Sequence, residues 1–115
     1  MNVNPIIINA LNPEGLPVTP GHYTGTEDKY YSFNYEDDRG VVFSDNEPQI
    51  DVASIQVHLF VPLDYNHIQL KKRTRARLFK AGFSYPVITE FIEKDTEKRH
   101  IIFQCEIDEP SESEV

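Results

Sequence analysis

Apolar residues recur along this chain with two different periods, and the change of period divides it into elements. Between Val52 and Val61 they alternate: Ile55, Val57, Leu59 and Val61 stand on one parity, Ser54, Gln56, His58 and Phe60 on the other. That is the period of a strand with one buried face. Pro62 ends it, because proline has no amide to give the ladder. In KYYSFNY, Tyr31, Phe33 and Tyr35 share one strand face, and Tyr30, Ser32 and Asn34 the other. Alternation returns in Tyr85–Glu93 and Arg99–Ile107, two strands joined by the polar turn KDTEK, with Ile101, Phe103, Cys105 and Ile107 on one side of the second.

From Asn66 to Gly82, NHIQLKKRTRARLFKAG, the period lengthens to that of a helix. Leu70, Thr74, Leu78 and Ala81 form one narrow stripe facing a core. Asn66 is placed to cap the helix, with Gln69 completing a capping box. Gly82 falls where a left-handed C-terminal cap is wanted, and Lys80 suits the negative helix end. Ile68 and Phe79 lie opposite the stripe, so they ask for a second partner surface.

A leading helix is predicted over Pro5–Leu11, where proline is tolerated in the first turn. It is too short to stand alone and must dock on the sheet. NPEGLPVTPG reads as an extended, turn-rich connection, and the acidic EDD of EDDRG as a solvated loop. The order α-β-β-α-β-β predicts an α+β fold, a small antiparallel-rich sheet with helices packed on one face. Residues 1–108 are expected to be a single domain, and 109–115 an acidic, disordered tail.

Length and charge fit that picture. A chain of 115 residues is one domain, and its net charge of −8 disfavours nonspecific nucleic-acid binding. Six of its eleven basic residues nevertheless sit between Lys71 and Lys80. The single cysteine, Cys105, excludes an intrachain disulfide, and no apolar run approaches membrane-spanning length. MNVNPIII lacks the basic start of a secretory signal, so a cytosolic protein is expected.

Catalytic chemistry finds no support. Cys105 and His100 are an odd number of residues apart on one strand and face opposite ways, so Cys105 reads as core. His22, His58, His67 and His100 show no paired ligand spacing; His58 and His100 read as exposed or interfacial. The five glycines form no phosphate cradle, and EDD lacks the ligand spacing of a calcium loop. No enzyme activity, cofactor or metal is expected.

The basic helix therefore reads as an assembly surface. Ile68 and Phe79 would give apolar contact, Lys71, Lys72, Arg73 and Arg75 electrostatic register, and Glu36, Asp37 and Asp38 the acidic counterparts on a neighbouring copy. Copies meeting head to tail in this way can close a ring. A small intracellular adaptor, or a nucleic-acid-binding domain using helix 66–82, stays open beside it; specific nucleic-acid recognition is disfavoured, because no aromatic residues interleave with the charges.

The strings YTGTEDKYYSFNYEDDR, IQVHLFVPLDYN, LKKRTRARLFKAGF and DTEKRHIIFQCEI, in that order, give the chain a resemblance. It resembles the tail terminator (tail-completion, or tail-to-head joining) proteins of long-tailed noncontractile phages and prophages of Firmicutes, over roughly residues 5–108. The resemblance implies a small α+β protein that caps the tail tube and stops its polymerisation, often as a hexameric ring. Its implied partners are copies of itself, the tail tube protein and a head-completion or connector protein. It implies a virion location after assembly in the host cytoplasm, without a membrane. Other head-tail connectors and tail components share this size and character.

Overall fold

Val52–Val61, the most regular alternation in the sequence, lies at the middle of the sheet. The computed structural model describes the backbone of residues 2–42 and 49–110, and their side chains apart from 37–42, 49–50 and 109–110. In chain order come helix α1 (Asn4–Leu11), a 3-10 turn (Asn12–Glu14), β1 (Val18–Pro20), β2 (Tyr30–Val42), β3 (Gln49–Pro62), helix α2 (Ile68–Lys80), β4 (Val87–Glu93) and β5 (Lys98–Pro110). The five strands form one sheet in the order β1-β2-β3-β5-β4. β1 runs parallel to β2, and every other pairing is antiparallel. The fold is α+β, with helices over one face of the sheet.

Register is set by matching the apolar parities. Ala53, Ile55, Val57 and Leu59 lie opposite Ile107, Cys105, Phe103 and Ile101, and all eight are buried. A one-residue slip would turn either set to solvent, which is why such strands hold one alignment. Over this face α1 lays Ile7 and Leu11, with Val3 just before it, and α2 lays Leu70, Thr74 and Leu78. Thr74 is polar yet fully buried. Its Oγ1 donates to the Leu70 carbonyl at 2.8 Å and accepts from the Tyr31 hydroxyl at 2.7 Å. Both hydroxyls are thereby satisfied, and burial pushes the Tyr31 phenol up to about 12.

The end of α2 follows the sequence closely. Gly82 has φ +112°; its amide bonds the Phe79 carbonyl at 3.1 Å, while the Phe83 amide reaches the Leu78 carbonyl at 3.2 Å. This pair of bonds is a Schellman motif, and buried Leu78 and Phe83 supply its apolar contact. A Cβ at Gly82 would meet only ordinary contact, so the backbone angle is what requires glycine.

The helix start differs from expectation. Asn66 Oδ1 accepts from the Ile68 amide at 3.3 Å, a local turn bond, and no side chain caps at His67. The Asn66–Gln69 capping box is therefore absent. Two further expectations are corrected. NPEGLPVTPG contains β1, held where the Tyr31 amide bonds Pro17 O and the Gly21 amide bonds Phe33 O, both at 2.8 Å. Three residues beside two prolines give too short a pattern to read as a strand. EDD is not a loop: β2 continues through a bulge, with Tyr35 opposite Ile55, Asp37 opposite Ser54 and Glu36 the extra residue. Pairing with β3 through Val42 overrides the polar composition there. Of the expected tail, residues 109–110 end β5, and 111–115 lie outside the described residues.

Candidate functional site

Helix α2 carries six basic side chains, and most already have partners. Lys71 Nζ lies 2.9 Å from Glu90 Oε1 on β4, and Glu90 Oε2 also meets His67 at 3.1 Å and Arg99 at 3.3 Å. At the other side, Arg73 and Arg77 converge on Glu14 at 3.0 and 2.8 Å. The Glu14 side chain is only 6% exposed, so the 3-10 turn is clamped onto α2. Bonding from Arg73 holds the Glu14 carboxyl below the usual range, and bonding from Lys71 does the same for Glu90, against the opposing effect of burial.

Arg75 is used differently. Its Nε donates to the Pro86 carbonyl at 3.0 Å, and its guanidinium sits 4.2 Å from the Tyr85 ring centre. Phe79 meets the same tyrosine edge-on at 5.5 Å. Phe79 and Tyr85 are both more than half exposed, and Ile68 is 41% exposed at the other end of the helix. The outward surface of α2 therefore presents Ile68, Phe79 and the exposed Lys72 and Lys80.

Among the described residues the opposite face of the sheet carries no helix. Register brings Tyr30, Phe60, His100 and Phe91 into one row across four strands. Their rings stack: Tyr23 on Tyr30 at 4.3 Å, Tyr30 on Phe60 at 4.9 Å, Phe60 on His100 at 4.2 Å, with Phe91 at 4.7 Å from His100. Beside this row His58 Nδ1 lies 2.7 Å from His100 Nε2, and His58 Nε2 lies 2.7 Å from Asn34 Oδ1. Asn34 Nδ2 donates to Tyr35 O, which orients its Oδ1 as the acceptor. His58 then donates through Nε2 and accepts from His100 through Nδ1. Further along, Glu36 accepts from Gln56 at 3.4 Å and Gln104 at 2.6 Å.

The sequence candidates are thus split between two sides. Ile68, Lys71, Lys72, Arg73, Arg75 and Phe79 share α2, whereas the Glu36 carboxylate lies against glutamines of the uncovered sheet face. Asp37 and Asp38 follow it in β2, and their side chains are outside the described set. Within one copy the basic helix and Glu36 do not meet. Glu14, Glu90 and Tyr85 were missed as partners of the helix. For Glu90 a signal existed, since it shares the parity of Ile88 and Ile92 on an edge strand. His58 and His100 lie on the more polar strand faces, as expected, but they bond to each other and His100 is buried rather than exposed. Only the register of β3 on β5, which a sequence does not print, reveals that pair. Cys105 is core as expected, its thiol pushed up to about 12 by burial. Among the described residues no three His, Cys, Asp or Glu side chains gather as a metal site, and no helix is long and apolar enough to cross a membrane.

These environments fix a pH dependence. His58 and His100 both lie below the ordinary histidine range, chiefly through burial, with Glu93 at 3.5 Å from His100 Nδ1 opposing the shift. The folded state therefore favours neutral rings. Their contribution is complete above the unfolded value of about 6.5 and is lost as pH falls through the lower folded values. Glu14 and Glu90 add a second loss, beginning below about pH 4.3, because their folded values are depressed. Thermal melting should be flat from about pH 8 to 7, decline below about 6.5, and fall again in the carboxylate range. In His58→Gln the first decline should shrink; an unchanged melting temperature from neutral pH to about 5 would contradict the histidine assignment.

No protein-family model matches the chain, and no curated protein sequence matches it. Solved structures do. One is a chain of a structure titled "Virion of native gene transfer agent (GTA) particle", matched with a TM-score of 0.56 at 12% identity over 89% of this chain and 84% of that one. At that identity the likeness is one of fold. The two chains share this arrangement of sheet and helices over nearly their whole lengths.

Proposed function

We propose that this protein is a structural component of a phage-type particle, and specifically a terminator that caps the tail tube and forms the interface to the head connector. The observation that carries the first part is the fold shared with a chain of a gene transfer agent virion over 89% of the present chain. The finer assignment rests on the sequence resemblance to tail terminator proteins. On this reading the protein works by occupying a surface rather than by turnover, with no enzyme activity and no cofactor.

The physical task is modest. A subunit bound at the growing end covers the surface on which the next tube subunit would add. To do so from every direction, copies must surround the tube axis, and a ring of six is what the resemblance implies. Contact through Ile68 and Phe79 would exclude water, and the exposed Lys72 would add register. The adaptor or nucleic-acid reading of α2 is weakened because Lys71, Arg73 and Arg77 already neutralise carboxylates of their own chain. Tubes growing from purified tail tube protein should stop lengthening when this protein is added. Continued growth at the original rate would contradict the proposal.

A further inference from the structure

On the uncovered sheet face Asn34 of β2, His58 of β3, His100 of β5 and Glu93 at the end of β4 form a line. The line has a direction. Asn34 Nδ2 is committed to the Tyr35 carbonyl at 3.2 Å, so its Oδ1 accepts from His58 Nε2. The neutral His58 ring then has only Nδ1 to offer as an acceptor, and His100 donates to it through Nε2 at 2.7 Å. A neutral ring carries one N–H, so His100 Nδ1 is bare. It is buried, has no hydrogen-bond partner, and faces Glu93 Oε2 at 3.5 Å. Two acceptors stand opposite each other there, farther apart than the roughly 2.7–2.9 Å of a charge-assisted bond.

One proton fits this line and two do not. A proton on His100 Nδ1 makes the ring an imidazolium that donates to Glu93 through Nδ1 and still donates to His58 through Nε2. The next proton has only His58 Nδ1 to go to. There it would set N–H against N–H and place two positive rings with centres 4.9 Å apart. The surroundings supply no other charge to the pair. Phe60 and Phe91 pack on His100 from β3 and β4, and Tyr30 of β2 is a phenol whose proton burial holds more tightly than usual. Lys98, two residues along β5, gives its Nζ to the Asp28 carbonyl at 2.7 Å. Glu93 is the carboxylate that acts on both rings.

We propose that this line is an acid-set latch: a single proton taken from water by His100 Nδ1 ties Glu93, and with it the turn from β4 to β5, onto the sheet. Glu93 is placed to carry the effect into the turn. Its Oε1 accepts from Thr96 Oγ1 at 3.3 Å, and its carbonyl accepts from the Glu97 amide at 2.9 Å. Glu97 has φ +54°, a left-handed angle that costs energy for a residue with a side chain, so the turn depends on being held. Burial lowers the proton affinity of His100 and Glu93 raises it, burial having the larger effect. The latch is therefore open at neutral pH and closes in mild acid. Its closing is local. Global stability still declines over the same range, because the unfolded chain binds the proton more tightly.

The test is NMR of the full chain carrying isotopically labelled histidine rings, followed from neutral pH into mild acid. At neutral pH both His58 and His100 should report the Nε2–H tautomer. On acidification His100 Nδ1 should gain its proton first, with His58 Nδ1 following only at lower pH. Glu93→Gln, an isosteric change at a side chain 33% exposed, should lower the His100 midpoint by about 1 pH unit. The Glu97 amide gives a second reading: its hydrogen exchange should slow, relative to the same amide in Glu93→Gln, as His100 gains its proton. An Nδ1–H tautomer of His100 at neutral pH would overturn the proposal, because Glu93 would then be bonded at every pH. So would a first proton on His58, a His100 midpoint unmoved in Glu93→Gln, or equal Glu97 exchange in the two proteins. The tautomers and the order of protonation are read in the parent chain, so they decide the matter even where the variant loses its fold, and neither depends on tube capping.

Discussion

Leu78→Ala should lower the unfolding free energy by about 2–5 kcal/mol, the largest stability loss expected from any change on α2. Leu78 is fully buried, in a stripe with Leu70 and Thr74 that seats the helix on the sheet. Its removal takes apolar area from the core and leaves a cavity whose other walls, the strand residues, are held by ladder hydrogen bonds and relax poorly. The same residue supplies the apolar half of the contact with Phe83 that closes the helix end. Against a total stability of about 5–15 kcal/mol, the loss is large enough to populate unfolded chains. Urea unfolding followed by circular dichroism measures it. A loss under about 1 kcal/mol would mean that α2 is not seated as described.

Phe79→Asp should act in the opposite way, sparing the fold and abolishing tube capping. Phe79 is 56% exposed and touches Tyr85 edge-on, so its removal should cost about 0.5–1.5 kcal/mol of stability. At an assembly interface the same change buries a carboxylate against apolar surface, which costs far more. Lys71→Glu would be a poor companion, because it sets a second carboxylate beside Glu90 and strains the fold itself. Lys72→Glu is the cleaner charge test, since Lys72 is exposed. The measurement is arrest of tube growth by variants whose urea midpoints match the parent. Normal arrest by Phe79→Asp would remove this part of α2 from the interface.

The contrast between these two residues was legible in the sequence, because a single helical period separates the buried stripe from Phe79. The two central strands were legible for the same reason: both carry an uninterrupted apolar parity. What escaped were features that depend on pairing across the chain. The strand nature of Glu36–Val42 comes from its partner β3, since Glu36–Arg39 are all charged and show no apolar alternation. β1 is too short and too rich in proline to show alternation. Glu14 and Glu90 became ion-pair hubs only because turn and edge strand were brought to α2 from opposite sides. His58 and His100 became one bonded pair only through the register of β3 on β5. Local periodicity gave the elements, and long-range register gave most of the polar contacts.

The proposed role, ending the growth of a tail tube, is tested most directly by electron microscopy of tubes assembled with and without the protein. Tubes made in its presence should stop at a limited length and carry a ring of density at one end, the end that meets the head connector. Tubes of unrestricted length with bare ends would contradict the claim.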